Sequence, residues 1–135
     1  MKRRQERTSQ RLLVKKLDRV FSEFIRLRDS DPNGYAKCCT CHVTKYWREM
    51  HAGHYVGRRQ MNTRWEEQNV HAQCAGCNTF HEGRKPEYTL FLVEKYGNGI
   101  VKSLVRAGNE VKKWSVSELS DMIKRYERRV AKMRR

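Results

Sequence analysis

The sequence predicts an α+β fold in which a zinc-stabilised core is flanked at both ends by basic helices. Two C-x-x-C pairs, Cys38/Cys41 and Cys74/Cys77, are separated by a histidine-containing segment. All five cysteines and all five histidines lie between residues 38 and 81. Amphipathic, positively charged stretches precede and follow this region, as is typical of surface helices.

A chain of 135 residues is expected to form a single domain, here covering residues 1–135. Within it we expect an N-terminal helix over 10–28, a zinc-stapled core over 35–84 and C-terminal helices over 86–135. Leu, Ile, Val and Phe together number only 26, close to the level at which charged chains fail to fold. A structural metal is the first candidate for additional stabilisation, and oligomerisation is the second.

The charge balance predicts a polyanionic partner. The net charge is +15, from 30 Lys and Arg against 15 Asp and Glu, and DNA or RNA explains this better than a membrane. Residues 1–19 and 121–135 hold 15 of the 30 basic residues. No apolar run is long enough to span a bilayer, and the N-terminus lacks an apolar signal segment. We therefore expect a cytosolic protein, and in the cytosol C-x-x-C pairs usually bind metal.

The first helix is predicted from apolar residues at Leu13, Leu17, Val20 and Phe24, which form one face. Residues 1–9 are polar, and Thr8 or Ser9 is a candidate N-cap. Turn-forming residues over 29–34 end the helix.

The core is predicted as two short strands between two cysteine turns. The strands cover residues 51–56 and 69–73, and a basic loop over 57–68 connects them. Asn78 opens a short helix that Gly83 breaks.

Three helices are predicted after the core. The first of these helices has Pro86 in its first turn and ends at Gly97. The second helix covers about residues 99–107 and stops at Gly108. A capping box from Ser115 to Glu118 begins the last helix. Its apolar stripe over 119–133 can pair with the stripe over 13–27, either within one chain or between subunits.

The four thiolates of Cys38, Cys41, Cys74 and Cys77 match a closed tetrahedral zinc site. Such a site has no open position and is structural, and it can contribute on the order of 10 kcal/mol to folding. The fifth cysteine, Cys39, is interpreted as a packing residue.

His51, His54 and Asn78 have no purpose in a zinc knuckle, but they match the needs of a nuclease. Phosphodiester hydrolysis requires a general base and a hard divalent ion. A neutral imidazole can act as the base near pH 7. Nitrogen and amide-oxygen ligands with open positions can hold Mg²⁺ or Mn²⁺.

The order of these motifs resembles the His-Asn-His nucleases, which have ββα-metal (His-Me finger) folds. More closely, residues 24–29 (FIRLRD), 51–55 (HAGHY), 69–71 (NVH) and 73–78 (QCAGCN) resemble the NinG/Rap family. The placement of Asn78 directly after the last zinc cysteine also resembles the phage endonuclease VII group. The resemblance to the NinG/Rap family covers about residues 20–130. It implies a phage recombination endonuclease that acts on branched DNA, such as Holliday junctions and D-loops.

The resemblance also implies a role for each matching residue. His54 is the general base, and Asn69 holds the loop that orients this base. Asn78 is a ligand of the catalytic Mg²⁺ or Mn²⁺, and His51 is a second candidate ligand. His81 is a possible third ligand or phosphate contact.

One position departs from the pattern of the wider class, in which an Asp directly precedes the base. Here that residue is Gly53, so the identity of the first metal ligand stays open between His51 and another group. The expected DNA contacts are basic residues near the base strand and in both terminal helices: Arg58, Arg59, Arg64, Lys15, Lys16, Arg125, Arg128 and Arg129.

The sequence alone leaves several alternatives open. Symmetric cutting of a junction favours a homodimer. A non-catalytic zinc-knuckle DNA-binding protein would explain the cysteines and the charge. A nuclease of linear duplex DNA would keep the chemistry and change the substrate. RNA is a further possible substrate, although the sequence shows no obvious aromatic platform for single strands.

Overall fold

The computed structural model describes residues 1–134. The helices and strands follow one another as α1 Lys2–Arg28, β1 Tyr35–Lys37, β2 Thr44–Tyr46, β3 His51–His54, β4 Val70–Gln73, α2 Lys85–Tyr96, α3 Ile100–Asn109 and α4 Val116–Met133. Short 3₁₀ turns cover Trp47–Glu49 and Glu67–Asn69, and a π-helical turn covers Gly76–Phe80. The mixed α+β class is confirmed.

The strands form two small antiparallel sheets. β1 pairs with β2, and Tyr35 lies opposite Tyr46. β3 pairs with β4 in a register that places His51 opposite Gln73 and Gly53 opposite His71. Directly paired residues of an antiparallel ladder share one face of the sheet.

The chain divides into two compact units. The first, which we call the helical unit, consists of Met1–Phe24 together with the chain from Lys113 onward. The second, which we call the zinc unit, consists of Ile25–Lys112 and contains all cysteines and histidines.

In the helical unit, the predicted start of the first helix at residue 10 is wrong, because α1 begins at Lys2. Thr8 is not an N-cap, since its hydroxyl donates to the carbonyl of Arg4 at 3.0 Å within the helix. The first nine residues contain neither Pro nor Gly, and most of them are Arg, Lys, Gln or Glu, which favour helix. Their polarity removes them from the apolar core without preventing helix formation.

The two apolar stripes pack against each other within the chain. Phe21 and Phe24 of α1 each lie 5.0 Å from the ring of Tyr126 in α4, measured between centroids. The predicted capping box is confirmed, because Ser115 Oγ accepts from the amide of Glu118 and the Glu118 side chain accepts from the amide of Ser115.

The zinc unit is built around the β3–β4 hairpin, with α2 packed beside it. One apolar cluster of this unit joins Cys39 to Tyr88, Leu92, Ile100 and Leu104 of α2 and α3. The predicted helix closed by Gly97 is confirmed, and Gly97 has a φ of 98°, which glycine adopts without strain.

Two predicted boundaries in this unit are corrected. Asn78 does not open a helix but lies inside the π-helical turn Gly76–Phe80. Gly108 does not stop α3, because it is buried within the helix. A Cβ atom on Gly108 would lie 2.8 Å from Val56 Cγ1, so this glycine permits a close contact instead of ending the helix.

No helix within residues 1–134 is both long enough and apolar enough to cross a membrane.

Candidate metal centres and catalytic residues

The two cysteine turns converge on one point of the zinc unit. The Sγ atoms of Cys38, Cys41, Cys74 and Cys77 all lie within 4.8 Å of one another, and those of Cys41 and Cys74 are 3.7 Å apart. Three of these cysteines are buried and Cys41 is exposed. Four sulfur ligands at this separation suit a tetrahedral zinc ion, which the residues can hold in a closed, structural site.

Hydrogen bonds to the Cys38 sulfur support the ionised form that zinc requires, whereas burial raises the pKa of Cys41 and of Cys74. Burial opposes ionisation of Cys38, but hydrogen bonds from Thr40 and from nearby backbone amides lower the pKa of Cys38 to about 6. The amide of Cys77 donates to Cys74 Sγ at 3.4 Å. Arg84 Nε donates to Cys77 Sγ at 3.2 Å, a contact that the sequence did not indicate.

Cys39 points away from the sulfur cluster. It is 5% exposed and packs with Tyr88 and Leu92. Burial raises the pKa of Cys39, so the thiol stays protonated. Its position agrees with the packing role expected from the sequence.

Asn78 and His51 are in direct contact. Asn78 Nδ2 lies 3.1 Å from His51 Nδ1, although the residues are 27 positions apart. An amide nitrogen only donates, so Nδ1 of His51 accepts in this arrangement. A half-turn of the Asn78 amide presents Oδ1 to the same place. One imidazole nitrogen and one amide oxygen can therefore be directed at a shared point.

His54, the last residue of β3, has a defined tautomer. Its Nε2 lies 2.8 Å from the backbone carbonyl of Arg64. A carbonyl can only accept, so Nε2 carries the proton and Nδ1 carries the basic lone pair. Along a strand with a rise of about 3.4 Å per residue, His54 lies roughly 10 Å from His51 between Cα atoms.

Asn69 is completely buried and ties together the loop between β3 and β4. Its Oδ1 accepts from the amide of Val56 at 2.8 Å. Its Nδ2 donates to the carbonyls of Val56 and Thr63 at 2.9 and 3.1 Å. Thr63 directly precedes Arg64, so Asn69 fixes the segment whose carbonyl holds His54.

Gly53, directly before His54, has no room for a side chain. A Cβ atom there would lie 1.8 Å from Gln73 Oε1 and 2.7 Å from Gln73 Cδ. Gln73 is fully buried, and its Nε2 donates to Thr40 Oγ1 and to the carbonyl of Gly83, each at 3.0 Å. Its Oε1 has no hydrogen-bond partner within residues 1–134.

A buried chain of hydrogen bonds runs from α2 to β3. Tyr88 Oη donates to the carbonyl of Gly53 at 2.7 Å. Tyr88 has only one proton, so it accepts from His71 Nδ1 at 3.1 Å, and His71 Nε2 then accepts from Tyr96 Oη at 2.8 Å. Burial lowers the pKa of His71 to about 3, with a further contribution from Arg28, so the ring is neutral.

Lys85, at the start of α2, was also missed by the sequence analysis. Its Nζ donates to the carbonyl of His54 at 2.8 Å and to that of Tyr55. Burial lowers the pKa of Lys85. Tyr88 and Lys85 therefore hold the backbone on both sides of the His54 Cα atom. The only signal in the sequence was the helical spacing of these residues, which does not reveal their targets.

His81 is exposed and lies just after the π-helical turn, with its amide bonded to the carbonyl of Gly76. Within the described part of the chain, the only cluster of three or more Cys, His, Asp or Glu ligand atoms is the four-cysteine group. His81 is thus not brought into a cluster with His51 and His54. The role of His81 as a third ligand beside His51 and Asn78, or as a phosphate contact, stays a prediction.

The predicted DNA contacts lie in both units, which are considered separately. In the zinc unit, Arg58 and Arg59 are exposed, and Arg64 donates to the carbonyl of Arg58 at 2.9 Å. In the helical unit, Arg129 is half-buried, and its guanidinium lies 4.1 Å from the ring centroid of Phe24. The other four predicted residues of this unit are exposed: Lys15, Lys16, Arg125 and Arg128.

The family model described as bacteriophage lambda NinG protein matches residues 1–135, so the chain belongs to the NinG family. The chain is 26% identical over 122 residues to protein ninG of Salmonella phage P22, covering 90% of this chain and 57% of that protein. It is 25% identical over 122 residues to protein ninG of Escherichia phage lambda, with the same two coverages. The chain thus spans somewhat more than half the length of these relatives. Comparison with solved structures gives no match.

Proposed function

We propose that this NinG-family chain is a metal-dependent DNA endonuclease with a ββα-metal (His-Me finger) core. In this proposal β3, β4 and the turn Gly76–Phe80 are the two strands and the α element of the core. The four-cysteine zinc site would join the segment before β3, which holds Cys38 and Cys41, to the start of the α element, where Cys74 and Cys77 lie.

The contact between Asn78 and His51 is the observation that carries the proposal. It brings together two potential ligands at the open end of the hairpin, where β3 begins and β4 ends, next to the zinc cysteine Cys77. A purely structural zinc knuckle has no need for this pair. The pair is part-buried, so water and a phosphate oxygen can occupy the remaining positions around an ion.

The donor set fits a hard divalent ion such as Mg²⁺ or Mn²⁺. His51 supplies a nitrogen and Asn78 an oxygen, and neither ligand carries a charge, so binding of the free ion should be weak. When bound, such an ion would offset the negative charge that develops on the phosphate and on the leaving oxygen. Zinc would serve only the four-cysteine site.

His54 acts as the general base in this account. Nδ1 takes a proton from water, while the hydrogen bond from Nε2 to the Arg64 carbonyl holds the ring in the productive tautomer. The same hydrogen bond stabilises the imidazolium that forms. The scissile phosphate must extend from the His51–Asn78 pair toward the end of β3, where His54 lies.

Three neighbouring groups keep the base in position. Asn69 holds the loop that presents the Arg64 carbonyl, and Lys85 and Tyr88 bind the carbonyls of His54 and Gly53. None of these residues needs to touch the substrate. They limit the movement of the ring relative to the phosphate, and a shift of about 1 Å can cost a hundredfold in rate.

Exposed cations provide the sequence-independent part of DNA binding. The helical unit carries 16 Lys and Arg against six Asp and Glu, whereas the zinc unit carries 14 against nine. We propose that Lys15, Lys16, Arg125 and Arg128 contact phosphates from the helical unit and that Arg58 and Arg59 do so from the zinc unit. Contacts of this kind position a protein on DNA but do not select a sequence.

The proposed substrate is branched DNA of the kind formed in phage recombination, including Holliday junctions and D-loops. This part rests on the resemblance of residues 51–55 and 73–78 to the NinG/Rap endonucleases. Symmetric cutting of a four-way junction requires two active sites, which a homodimer with two-fold symmetry supplies. The stripes of α1 and α4 pack within one chain, so such a dimer would use another surface.

The proposal is tested by cleavage of a labelled four-way junction beside a linear duplex with the same arms, with and without added Mg²⁺. We expect Mg²⁺-dependent cleavage of the junction by the wild type and a rate about 10²–10⁴-fold lower for His54→Ala. Equal cleavage of both DNAs would indicate a nuclease of linear duplex. Tight binding by both proteins without cleavage under any divalent ion would indicate a zinc-stabilised DNA-binding protein.

The dimer is tested separately by sedimentation at several concentrations. A mass of twice the chain mass of 16.2 kDa is expected. A monomer at every concentration, with and without a junction, would contradict this part of the proposal and leave the chemistry at His54 standing.

A further inference from the structure

The β1–β2 hairpin of the zinc unit exposes two tyrosine rings on one face. Tyr35 and Tyr46 are directly paired across the two strands, and their ring centroids are 5.7 Å apart in an edge-to-face arrangement. Tyr35 is 49% exposed and Tyr46 is 39% exposed. The intervening residue of β1, Ala36, is completely buried, so the hairpin presents the tyrosine face to solvent.

The position of the Tyr46 ring is fixed by its neighbours. A Cβ atom on Gly34 would lie 2.7 Å from Tyr46 Cε1, so the ring packs directly on the Gly34 backbone, where φ is +89°. The amide of Trp47, the residue after Tyr46, donates to the Gly34 carbonyl at 2.8 Å and so holds the two backbone segments together. A ring that is already ordered loses little conformational entropy when a ligand stacks on it.

The surroundings of the rings are positively charged. Lys37 is on the same face of the hairpin as Tyr35, and Arg48, two residues after Tyr46, is also exposed. Lys45 is exposed as well, but it pairs with Ala36 and lies on the other face of the hairpin. No Asp or Glu occurs between residues 32 and 48, and the exposed Glu49 follows directly after Arg48. The carboxylate of Asp31, just before this segment, is engaged by the amides of Asn33 and Tyr35 at 2.9 and 3.0 Å.

We propose that the exposed face of the β1–β2 hairpin, formed by Tyr35 and Tyr46 with the nearby cations Lys37 and Arg48, is a stacking platform for unpaired DNA bases. Proteins that bind single-stranded nucleic acids combine exposed aromatic rings with cations, because each base has a π-face and each nucleotide carries a phosphate. A double helix keeps its bases stacked and offers the rings no free face. The platform therefore distinguishes unpaired from paired DNA.

The platform is close to the proposed catalytic residues along the chain. Tyr46 and His51 are separated by five Cα–Cα steps, which limits their Cα separation to about 19 Å. The inference deepens the proposed function, since unpaired bases occur at DNA branch points. Base stacking itself does not depend on catalysis, and it can be measured without a divalent ion.

The test is a fluorescence anisotropy titration with a labelled oligo(dT) of about 15 nucleotides and, in parallel, a linear duplex. No divalent ion is added, so cleavage does not contribute. The double variant Tyr35→Leu/Tyr46→Leu keeps apolar volume but lacks aromatic faces, and we expect it to bind oligo(dT) about tenfold or more weakly. We expect its affinity for the duplex to be unchanged.

Two matched variants complete the test. Tyr35→Phe/Tyr46→Phe retains both aromatic faces and is expected to bind oligo(dT) like the wild type. Leu90→Ala changes a residue of α2 that is 71% exposed and lies outside the hairpin, and it is expected to change neither affinity. Zinc content and circular dichroism check that each variant is folded, and Tyr35→Leu alone replaces the double variant if that protein is unstable.

The platform is excluded if the leucine variant binds oligo(dT) like the wild type, or if it loses affinity for oligo(dT) and duplex by the same factor. Either result would leave the nuclease proposal intact, because that proposal is judged by cleavage at His54. Conversely, stacking without cleavage would retain the platform and reject the nuclease.

Discussion

Gln73 Oε1 occupies the space in which Gly53 would carry a side chain: it lies 1.8 Å from the position of a Cβ atom on that glycine. Gln73 cannot withdraw easily, because it is buried and donates to Thr40 and Gly83. The residue before His54 is therefore restricted to glycine as long as Gln73 is present. We propose that His51, which lies on the same face of β3, provides the ligand that position 53 cannot.

Gly53→Ala is expected to destabilise the zinc unit by about 1–3 kcal/mol, the usual cost of forcing extra volume into a packed interior. Urea unfolding of the zinc-loaded protein measures this change. Combining it with Gln73→Ala should remove part of the cost, because the collision partner is gone. Gly57→Ala is the matched control, since no atom lies within 4 Å of its Cβ position. An equal effect of the alanines at 53 and 57 would show that the collision is not the cause.

Cys74→Ser and Cys39→Ser are expected to separate zinc binding from packing. Serine is a poor zinc ligand, so Cys74→Ser should lose the metal and most of the stability that it confers, a contribution on the order of 10 kcal/mol. Cys39→Ser should keep one zinc per chain and lose about 1–3 kcal/mol, because it places a hydroxyl in an apolar cluster. Metal analysis gives the zinc content of each variant, and urea unfolding gives its free energy of unfolding. Loss of zinc from Cys39→Ser would contradict the assignment of the four ligands.

Asn78→Asp is expected to lower the Mg²⁺ concentration needed for half-maximal cleavage, because it adds a negative charge to a neutral ligand pair. Asn78→Ala should raise that concentration on the order of tenfold or more. Cleavage rates over a range of Mg²⁺ concentrations give both values, and zinc content should be the same in each variant. Identical Mg²⁺ dependence in all three proteins would show that Asn78 is not a ligand.

The buried His71 makes the stability depend on pH in a predictable direction. Its pKa is about 3 in the folded protein, whereas the ordinary value is 6.5. Between these values the unfolded chain binds more protons, so the folded state loses stability as pH falls below about 6.5, at roughly 1.4 kcal/mol per pH unit. The stability that neutral His71 contributes is fully present above that pH.

Replacing His71 with Gln should remove this part of the pH dependence. Between pH 7 and pH 5 we expect wild type to lose about 2 kcal/mol more stability than His71→Gln, from urea unfolding of the zinc-loaded proteins. The variant starts from a lower stability because it loses a hydrogen-bonded ring, but that offset is constant with pH. Parallel pH profiles for the two proteins would contradict the buried, neutral state of His71.

Local patterns in the sequence were sufficient for part of this structure. The C-x-x-C spacing identified the four cysteines that could hold zinc, and Ser115–Glu118 identified the start of α4, because each signal depends on residues close together in the chain. The start of α1 was missed because apolar periodicity reports the buried face of a helix and not its polar ends. Residue patterns alone also left open whether the stripes of α1 and α4 pack within one chain or between subunits.

Contacts between distant positions were the main source of error or omission. Gln73 and Gly53 are 20 positions apart in the sequence, and Tyr35 and Tyr46 are 11 positions apart. Lys85 donates to the carbonyl of His54, a residue 31 positions earlier. Nothing in the local sequence shows such pairs, since they depend on strand register and helix packing. The π turn at Gly76–Phe80, which contains Cys77 and Asn78, was likewise not visible in the local sequence.

The central claim is that the His54 side chain is the general base, and chemical rescue tests it most directly. Single-turnover cleavage of a four-way junction in Mg²⁺ is measured for wild type, His54→Ala, and His54→Ala with added imidazole. We expect the variant to be slower by about 10²–10⁴-fold, with normal zinc content, and imidazole to restore part of the rate. Wild-type cleavage by His54→Ala would contradict the account.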